Sequence, residues 1–311
     1  MIKAIFIVGP TASGKTALSI EAAKKFGGEI ICADSMQIYK GIHIASAAPD
    51  KAEQQGIPHY MLEFLELTSE YSVAEYVKSA RSLIKEISAE GKIPIIVGGT
   101  GLYISSLLDN TEYTEYDTDL TLRKALEERY ENIGGEEMLK ELSEFDPDSA
   151  NRLHPNNKKR IIRAFEVYKQ SGITITEQNE LSHINSPLFD SLVIGISFEN
   201  RELLYERINK RVDLMLKNGL LDEARSTFET ANSKGAFQAI GHKELYGFFK
   251  DEVTLEEATE HLKQQTRRYA KRQLTWFRKD KRINWIYADN CENVFSSAEN
   301  IINNFLRSEK N

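Results

Sequence analysis

The run Gly9-Pro10-Thr11-Ala12-Ser13-Gly14-Lys15-Thr16 has the residue types and spacing of a loop that wraps phosphate. Its glycines let backbone N–H groups turn toward an anion, and the helix that should follow adds the positive end of its dipole. Lys15 can neutralise phosphate charge, and the Thr16 hydroxyl can hold Mg2+. The chemistry on offer is binding of a diphosphate or triphosphate; a plain glycine turn is the competing reading. Asp34 is a candidate general base, because a carboxylate beside a phosphate site can take a proton from an attacking nucleophile. Alternatively, Asp34 caps a helix beginning at Met36-Gln37. Gly98-Gly99-Thr100 can bring backbone and a hydroxyl to the same ligand, or can be only a turn. Arg207 and Arg211, four apart on one helix, can close over a diphosphate.

The elements that must position these groups follow from hydrophobic pattern. Strands are expected at residues 2–8, 29–33 and 94–97, with helices at 15–26 and 73–90. This alternation predicts an α/β fold, a P-loop parallel sheet with helices on both faces, whose ligands sit at the carboxyl ends of the strands. The phosphate loop, Asp34-Ser35 and Gly98-Gly99-Thr100 all fall at such ends. From about 118 to 182 the signals are helical: 120–130, 136–144 and a helix opening at Pro155, where proline suits the first turn. A strand at 191–197 returns to the sheet, followed by helices at 201–218, 220–232 and 254–278, a strand at 283–287 and a last helix. The expected organisation is a core of 1–117 and 190–311 with a helical C-terminal segment, interrupted by a helical insertion domain, 118–189.

With 311 residues and 41% hydrophobic content the chain can bury a sizeable core. It has no run apolar enough to span a bilayer, and the N-terminus is expected to enter a strand directly, without a signal peptide. Cys32 and Cys291 are too few for a disulfide framework or a zinc site. The expected setting is the reducing cytoplasm, with no membrane partner and no sign of oligomerisation beyond a monomer.

A net charge of −7 argues against nucleic acid only if charge is read globally. Residues 263–282 hold nine Lys/Arg and one acid, Asp280, and Lys158, Lys159, Arg160 and Arg163 form a second cluster. Such runs are RNA footprints or merely solvated helix faces. Basic side chains in the first turn of a helix after His154-Pro155-Asn156-Asn157 oppose its dipole, a conflict that phosphate contacts would explain. His154 itself reads as a turn residue. On the late helix Arg268, Arg272 and Thr275 share one face, as do Arg267 and Lys271, while Trp276 and Phe277 are expected to pack in the core. No identifiable strand except the second ends in the Asp that a hydrolytic P-loop NTPase uses for Mg2+, which weighs against a nucleotide-driven motor or switch and is compatible with transfer chemistry.

Taken together, Gly9 to Thr16, Asp34-Ser35-Met36-Gln37-Ile38-Tyr39-Lys40-Gly41, Ile95 to Tyr103, His154-Pro155-Asn156, Gln238-Ala239-Ile240-Gly241 and Arg268 to Arg278 resemble the tRNA dimethylallyltransferase family, in its order and over nearly the whole chain. The resemblance implies transfer of a dimethylallyl group from dimethylallyl diphosphate to N6 of adenine 37, beside the anticodon of tRNA. It implies that Gly9, Pro10, Thr11, Ala12, Ser13, Gly14, Lys15 and Thr16, with Arg211, hold the donor diphosphate and Mg2+, that Asp34 is the base, and that Thr100 and Lys15 complete the catalytic set. The anticodon stem-loop would touch Asp34, Ser35, Met36, Gln37, Thr100, Arg123, Lys159, Arg160, Ile161, Ile162, Arg163, Arg268 and Arg272, with the adenine flipped out. Two departures stand out: Ala45-Ser46-Ala47-Ala48-Pro49 replaces the family's Gly-Thr-Ala-Lys-Pro, and His242 stands where Tyr is common. An adenine-nucleotide prenyltransferase, a P-loop small-molecule kinase and a non-catalytic RNA-binding module are the other readings; the basic clusters favour tRNA.

Overall fold

Ala4 to Val8 are all fully buried, which a strand achieves only when both faces of its sheet are covered. The computed structural model describes residues 1–113, 119–182, 186–230 and 239–308, without the side chains of 229 and 230. Gln238, the expected 117/118 boundary and the end of the helix expected to reach 232 lie outside the described residues.

The strands are β1 (Ile2–Val8), β2 (Gly28–Cys32), β3 (His59–Tyr60), β4 (Ile93–Gly98), β5 (Phe189–Ser197) and β6 (Ile283–Tyr287). They form one six-stranded sheet in the order β3-β2-β4-β1-β5-β6, parallel throughout. Val8 pairs with Gly98 and Cys32 with Val97, so the carboxyl ends of β1, β4 and β2 lie side by side. Successive residues of a strand face opposite sides. Ile5 and Ile7 therefore pack with Leu18 and Ala23 of α1 (Lys15–Phe26), and with Ala298 and Ile302 of the last helix. The other face meets the helix Val73–Ala89, which buries Tyr76, Val77, Ala80, Ile84 and Ile87. That helix starts where it does because Ser72 and Glu75 close a reciprocal capping box.

Between β2 and β4 lie α2 (His43–Ser46), α3 (Lys51–Gln54) and α4 (Val73–Ala89); α5 (Gly101–Leu108) follows β4. Beyond the insertion come α10 (Arg201–Lys217), α11 (Leu220–Thr230), α12 (Tyr246–Phe249), α13 (Leu255–Phe277) and α14 (Val294–Arg307). α13 also opens with a capping box, Thr254 with Glu257. No helix among the described residues is long and apolar enough to cross a membrane.

The chain divides into two compact units, Met1–Leu108 with Leu188–Asn311, and Asp109–Pro187. The second contains α6 (Leu120–Ser143), α7 (Pro147–Arg152), α8 (Lys158–Ser171) and α9 (Ile175–Ser182). α6 breaks at Gly134 (φ 80°, ψ 165°), which gives the two helical segments expected there. α8 opens at Lys158 and not at Pro155: the Asn157 amide turns back to the His154 carbonyl at 2.8 Å, and the Tyr130 hydroxyl donates to the Pro155 carbonyl at 2.7 Å. This unit's core is Leu126, Met138, Leu142, Ile161, Ile162 and Phe165.

Candidate functional site

The loop from Gly9 to Thr16 leaves the end of β1 and enters α1, with Thr16 in the first helical turn. No side chain caps α1 and its first turn holds no acid, so its positive end is left for an external anion. Lys15 is half-buried and donates from Nζ to the Pro10 carbonyl at 2.7 Å. Burial, with Arg211 as the next cause, pulls its pKa down to about 8, although the charges of Asp34 and Cys32 oppose the drop. Arg211, from α10, is also lowered by burial, with Asp34 and Glu53 acting in the opposite direction. One turn earlier, Arg207 Nε donates to the Ala12 carbonyl at 2.9 Å, and its guanidinium lies 5.3 Å from the centre of the Phe198 ring. Ser13 Oγ is buried without a hydrogen-bond partner among the described residues. A buried hydroxyl left unpaired costs stability unless a ligand supplies its partner. The loop thus combines an open helix end, a half-buried lysine, two arginines and an unsatisfied hydroxyl, a set suited to a polyphosphate. Among the described residues no three His, Cys, Asp or Glu side chains gather as a metal cage.

Asp34 follows β2 and its carboxylate accepts the Met36 amide at 2.9 Å. The capping alternative is thus met in part, by a turn and not by a helix. Thr100 Oγ1 accepts the Ser35 amide at 2.9 Å and donates to Ser35 Oγ at 3.3 Å, while the Thr100 amide reaches the Ala33 carbonyl at 3.1 Å. Gly98 lets these backbones meet, because a Cβ there would lie 2.0 Å from the Ala33 oxygen. Thr100 therefore fixes the turn that carries Asp34. Gln37 looks inward: Nε2 donates to the Ser46 and Ala47 carbonyls at 3.2 and 3.0 Å, and Oε1 accepts from Cys32 Sγ at 3.1 Å. Met36 is half-buried against Ile38 and Tyr39.

α13 closes the site from the far end of the chain. Gln273 Oε1 accepts the Thr11 amide at 2.8 Å and Gln273 Nε2 donates to the Gly99 carbonyl at 3.0 Å. It is a site residue the sequence reading missed. Its signal was a polar residue inside the buried stripe Ala270, Gln273, Leu274, Phe277. Tyr269, readable in the sequence only as one of the aromatics interleaved with the basic residues, lies within reach of Asp34: burial first, and then the charge of Asp34, push its hydroxyl pKa well up. Phe277 is core at 2% exposure, but Trp276 is 44% exposed, contrary to expectation. Adjacent helical residues point about 100° apart, so one can face the core while the next turns outward. The indole lies instead against Gly101, where a Cβ would come 2.4 Å from its ring. Arg268, Lys271 and Arg272 are exposed, with Arg272 lying 5.6 Å from the Tyr269 ring centre. Arg267, at i, i+4 spacing from Lys271 on the same helix face, turns its guanidinium to α10 and donates to Asn209 Oδ1 at 2.6 Å.

In the helical unit, Lys159, Arg160 and Arg163 are exposed along α8. Arg123 and Arg163 each lie 3.6 Å from a carboxylate oxygen of the buried Glu166, within ion-pair range but beyond a hydrogen bond. Ile161 and Ile162 leave the set of RNA-facing candidates. At 0% and 2% exposure they fill this unit's core, as the helical period requires for two apolar residues between basic ones.

Comparison with known proteins matches the IPP transferase family model over residues 37–280. The tRNA dimethylallyltransferase of Caldanaerobacter subterraneus is 43% identical over 96% of both chains, and that of Acetivibrio thermocellus 47% identical over 98% of this chain and 96% of its own. The solved tRNA isopentenylpyrophosphate transferase of Bacillus halodurans superposes with a TM-score of 0.74 at 38% identity, covering 98% of this chain and 97% of that one. A eukaryotic dimethylallyltransferase captured acting on tRNA gives 0.84 at 30% identity, over 100% of this chain and 81% of its own. The parallel P-loop sheet is thus shared with these relatives, and this chain is a transferase that belongs to the IPP transferase family, among the tRNA dimethylallyltransferases.

Proposed function

We propose that this protein transfers a dimethylallyl group from dimethylallyl diphosphate to N6 of adenosine 37 of tRNA, releasing diphosphate. The observation that carries this reading is the meeting of the phosphate loop with the Thr100-locked Asp34 turn at adjacent strand ends. The donor's allylic C–O bond breaks, the N6–carbon bond forms, and the N6 proton passes to Asp34. Negative charge grows on the leaving diphosphate, where donors already in place lower the barrier most. Lys15 exchanges its Pro10 carbonyl for a phosphate oxygen, Ser13 Oγ gains the partner it lacks, and Arg207 and Arg211 cover the outer oxygens. Adenine N6 is a weak nucleophile, so orientation beside Asp34 and Thr100 contributes as much as basicity.

Mg2+ fits this arrangement: it takes a few protein oxygens and several from phosphate and water, so the Thr16 hydroxyl and the donor could hold it without a carboxylate cage. Bound there, it would neutralise leaving-group charge. Trp276 and the exposed Arg268 and Arg272 offer an aromatic plane and phosphate contacts to single-stranded loop bases, with Lys159, Arg160 and Arg163 as a second basic strip. On this reading the enzyme works on tRNA in the cytoplasm, as a monomer.

The test is incubation of the protein with labelled dimethylallyl diphosphate and Mg2+, offering tRNA, an anticodon stem-loop or AMP. Label in the RNAs at the adenosine beside the anticodon is the expected result. Label in AMP alone would reassign the acceptor to free nucleotides, and phosphate transfer from γ-labelled ATP to a small acceptor would overturn prenyl transfer altogether.

A further inference from the structure

His242 is wholly buried, with its ring held at both nitrogens. Nε2 meets Glu223 Oε1 at 2.9 Å and Nδ1 meets the Thr227 hydroxyl at 3.0 Å. Glu223 does more than pair with it. Its two oxygens accept the Ile44 amide at 2.7 Å and the Ala45 amide at 2.9 Å, in the first turn of α2, which has no side-chain cap of its own. Burial alone would raise this carboxyl, yet the His242 bond and the two amides hold it below the usual range, so it stays an anion against α2. At the other end of α2, Ala47 takes a left-handed conformation (φ 50°), and the Ser46 and Ala47 carbonyls receive the Gln37 amide. Gln37 is three residues beyond Asp34 and also holds the Cys32 thiol at the end of β2.

α2 is four residues long, and a single helical turn has no stability of its own. Its place depends on what holds its two ends: Glu223 at one, Gln37 at the other. We propose that His242, acting through Glu223 and α2, is a positioning residue that sets Gln37 and with it the acceptor side of the site. The role rests on the transfer reading above for its catalytic consequence, but not for its structural one. It also links the chain's two departures from its family's pattern, the Ala45 to Pro49 turn and His242, through one carboxylate.

The test compares His242→Ala, His242→Gln, Gln37→Ala and the double variant His242→Ala/Gln37→Ala, all with Cys291→Ser so that Cys32 is the only thiol. Alkylation of a buried thiol reports local opening and needs no activity. Loosening α2 should speed Cys32 labelling in His242→Ala. In the transfer assay the acceptor KM should rise roughly tenfold, the scale of losing one charge-assisted hydrogen bond, while the donor KM moves less than about twofold. Glutamine can bridge the same two partners and should recover most of the loss. If His242 acts through Gln37, the double variant should match Gln37→Ala alone, whereas independent sites would add. Additive losses, equal rises in both KM values, or unchanged Cys32 labelling would each overturn the proposal. A wild-type protein that prenylates no RNA would overturn the transfer reading instead, leaving the labelling comparison to decide the link from His242 to Gln37.

Discussion

Gln273 and Thr11 stand 262 residues apart in the chain, and the Gln273 side-chain oxygen accepts the Thr11 amide at 2.8 Å while its nitrogen holds Gly99. One buried amide thus ties the phosphate loop after β1 to the turn after β4. Gln273→Ala would leave an N–H and a carbonyl without partners, each costing about 1–3 kcal/mol. Urea denaturation should show that loss, and the donor KM should rise. Gln273→Glu keeps an acceptor for Thr11 but cannot donate to Gly99 when ionised, so it should fall between.

Lys15 titrates near 8 because burial and Arg211 disfavour its charge. Below that pH the ammonium faces the phosphate loop; above it the amine is neutral and attracts an anion less. Affinity for inorganic diphosphate, read by calorimetry, should therefore weaken as pH rises through about 8, and binding above that pH should take up a proton. Folding stability moves the other way. Between about 8 and the ordinary 10.5 the unfolded lysine keeps a proton that the folded one has lost, so this group's contribution rises with pH. Lys15→Arg stays charged and should lose both inflections.

Arg163 and Ile162 are neighbours in sequence with opposite surroundings, one exposed and one core. Arg163→Ala should weaken tRNA binding and reduce its salt slope by about 1, with little effect on stability. Ile162→Ala should cost about 2–4 kcal/mol in the helical unit and leave the salt slope unchanged. Filter binding across a salt series, paired with thermal melts, separates the two.

Trp276 is exposed beside Gly101, next to Thr100. If it stacks on a base, Trp276→Ala should lose about 1–3 kcal/mol of RNA affinity, while Trp276→Phe retains most of it. The other tryptophan is Trp285, so indole fluorescence of a Trp285→Phe variant reports on Trp276 alone. Quenching on addition of an anticodon stem-loop is expected, and its absence would remove Trp276 from the RNA-facing surface.

Gly98→Ala should yield insoluble or unfolded protein. The added carbon would lie 2.0 Å from the Ala33 carbonyl oxygen, a contact relieved only by parting β2 and β4. Circular dichroism and solubility on expression decide it; a well-folded variant would mean that the turn carrying Asp34 has slack.

Much of the scaffold could be read from local pattern. The β1–loop–α1 unit has its apolar strand, its glycines and its Lys-Thr pair within sixteen residues of the chain start, and Ser72 with Glu75 and Thr254 with Glu257 announce two helix starts. Misreadings came where a motif was carried over whole. Ile161 and Ile162 lie inside a run of basic residues, and only the helical period turns them inward. Trp276 falls off the buried stripe of α13 that Phe277 continues. Pro155 suits a first helical turn, but a tyrosine hydroxyl from α6 claims its carbonyl and the helix waits until Lys158.

By itself, then, the sequence determined the local grammar: a phosphate loop between strand and helix, an acid after the second strand, a Gly-Gly-Thr turn after another, and two basic stretches. These depend on residues a few positions apart, where backbone geometry and hydrophobic period act directly. Only the tertiary structure decided which distant groups hold those parts in place: Gln273 across the phosphate loop, and His242 with Glu223 behind Gln37. Such pairings join segments up to 262 residues apart, and a buried polar side chain in sequence shows that it needs a partner without showing which one. Packing of α10, α11 and α13 against the sheet domain makes that choice.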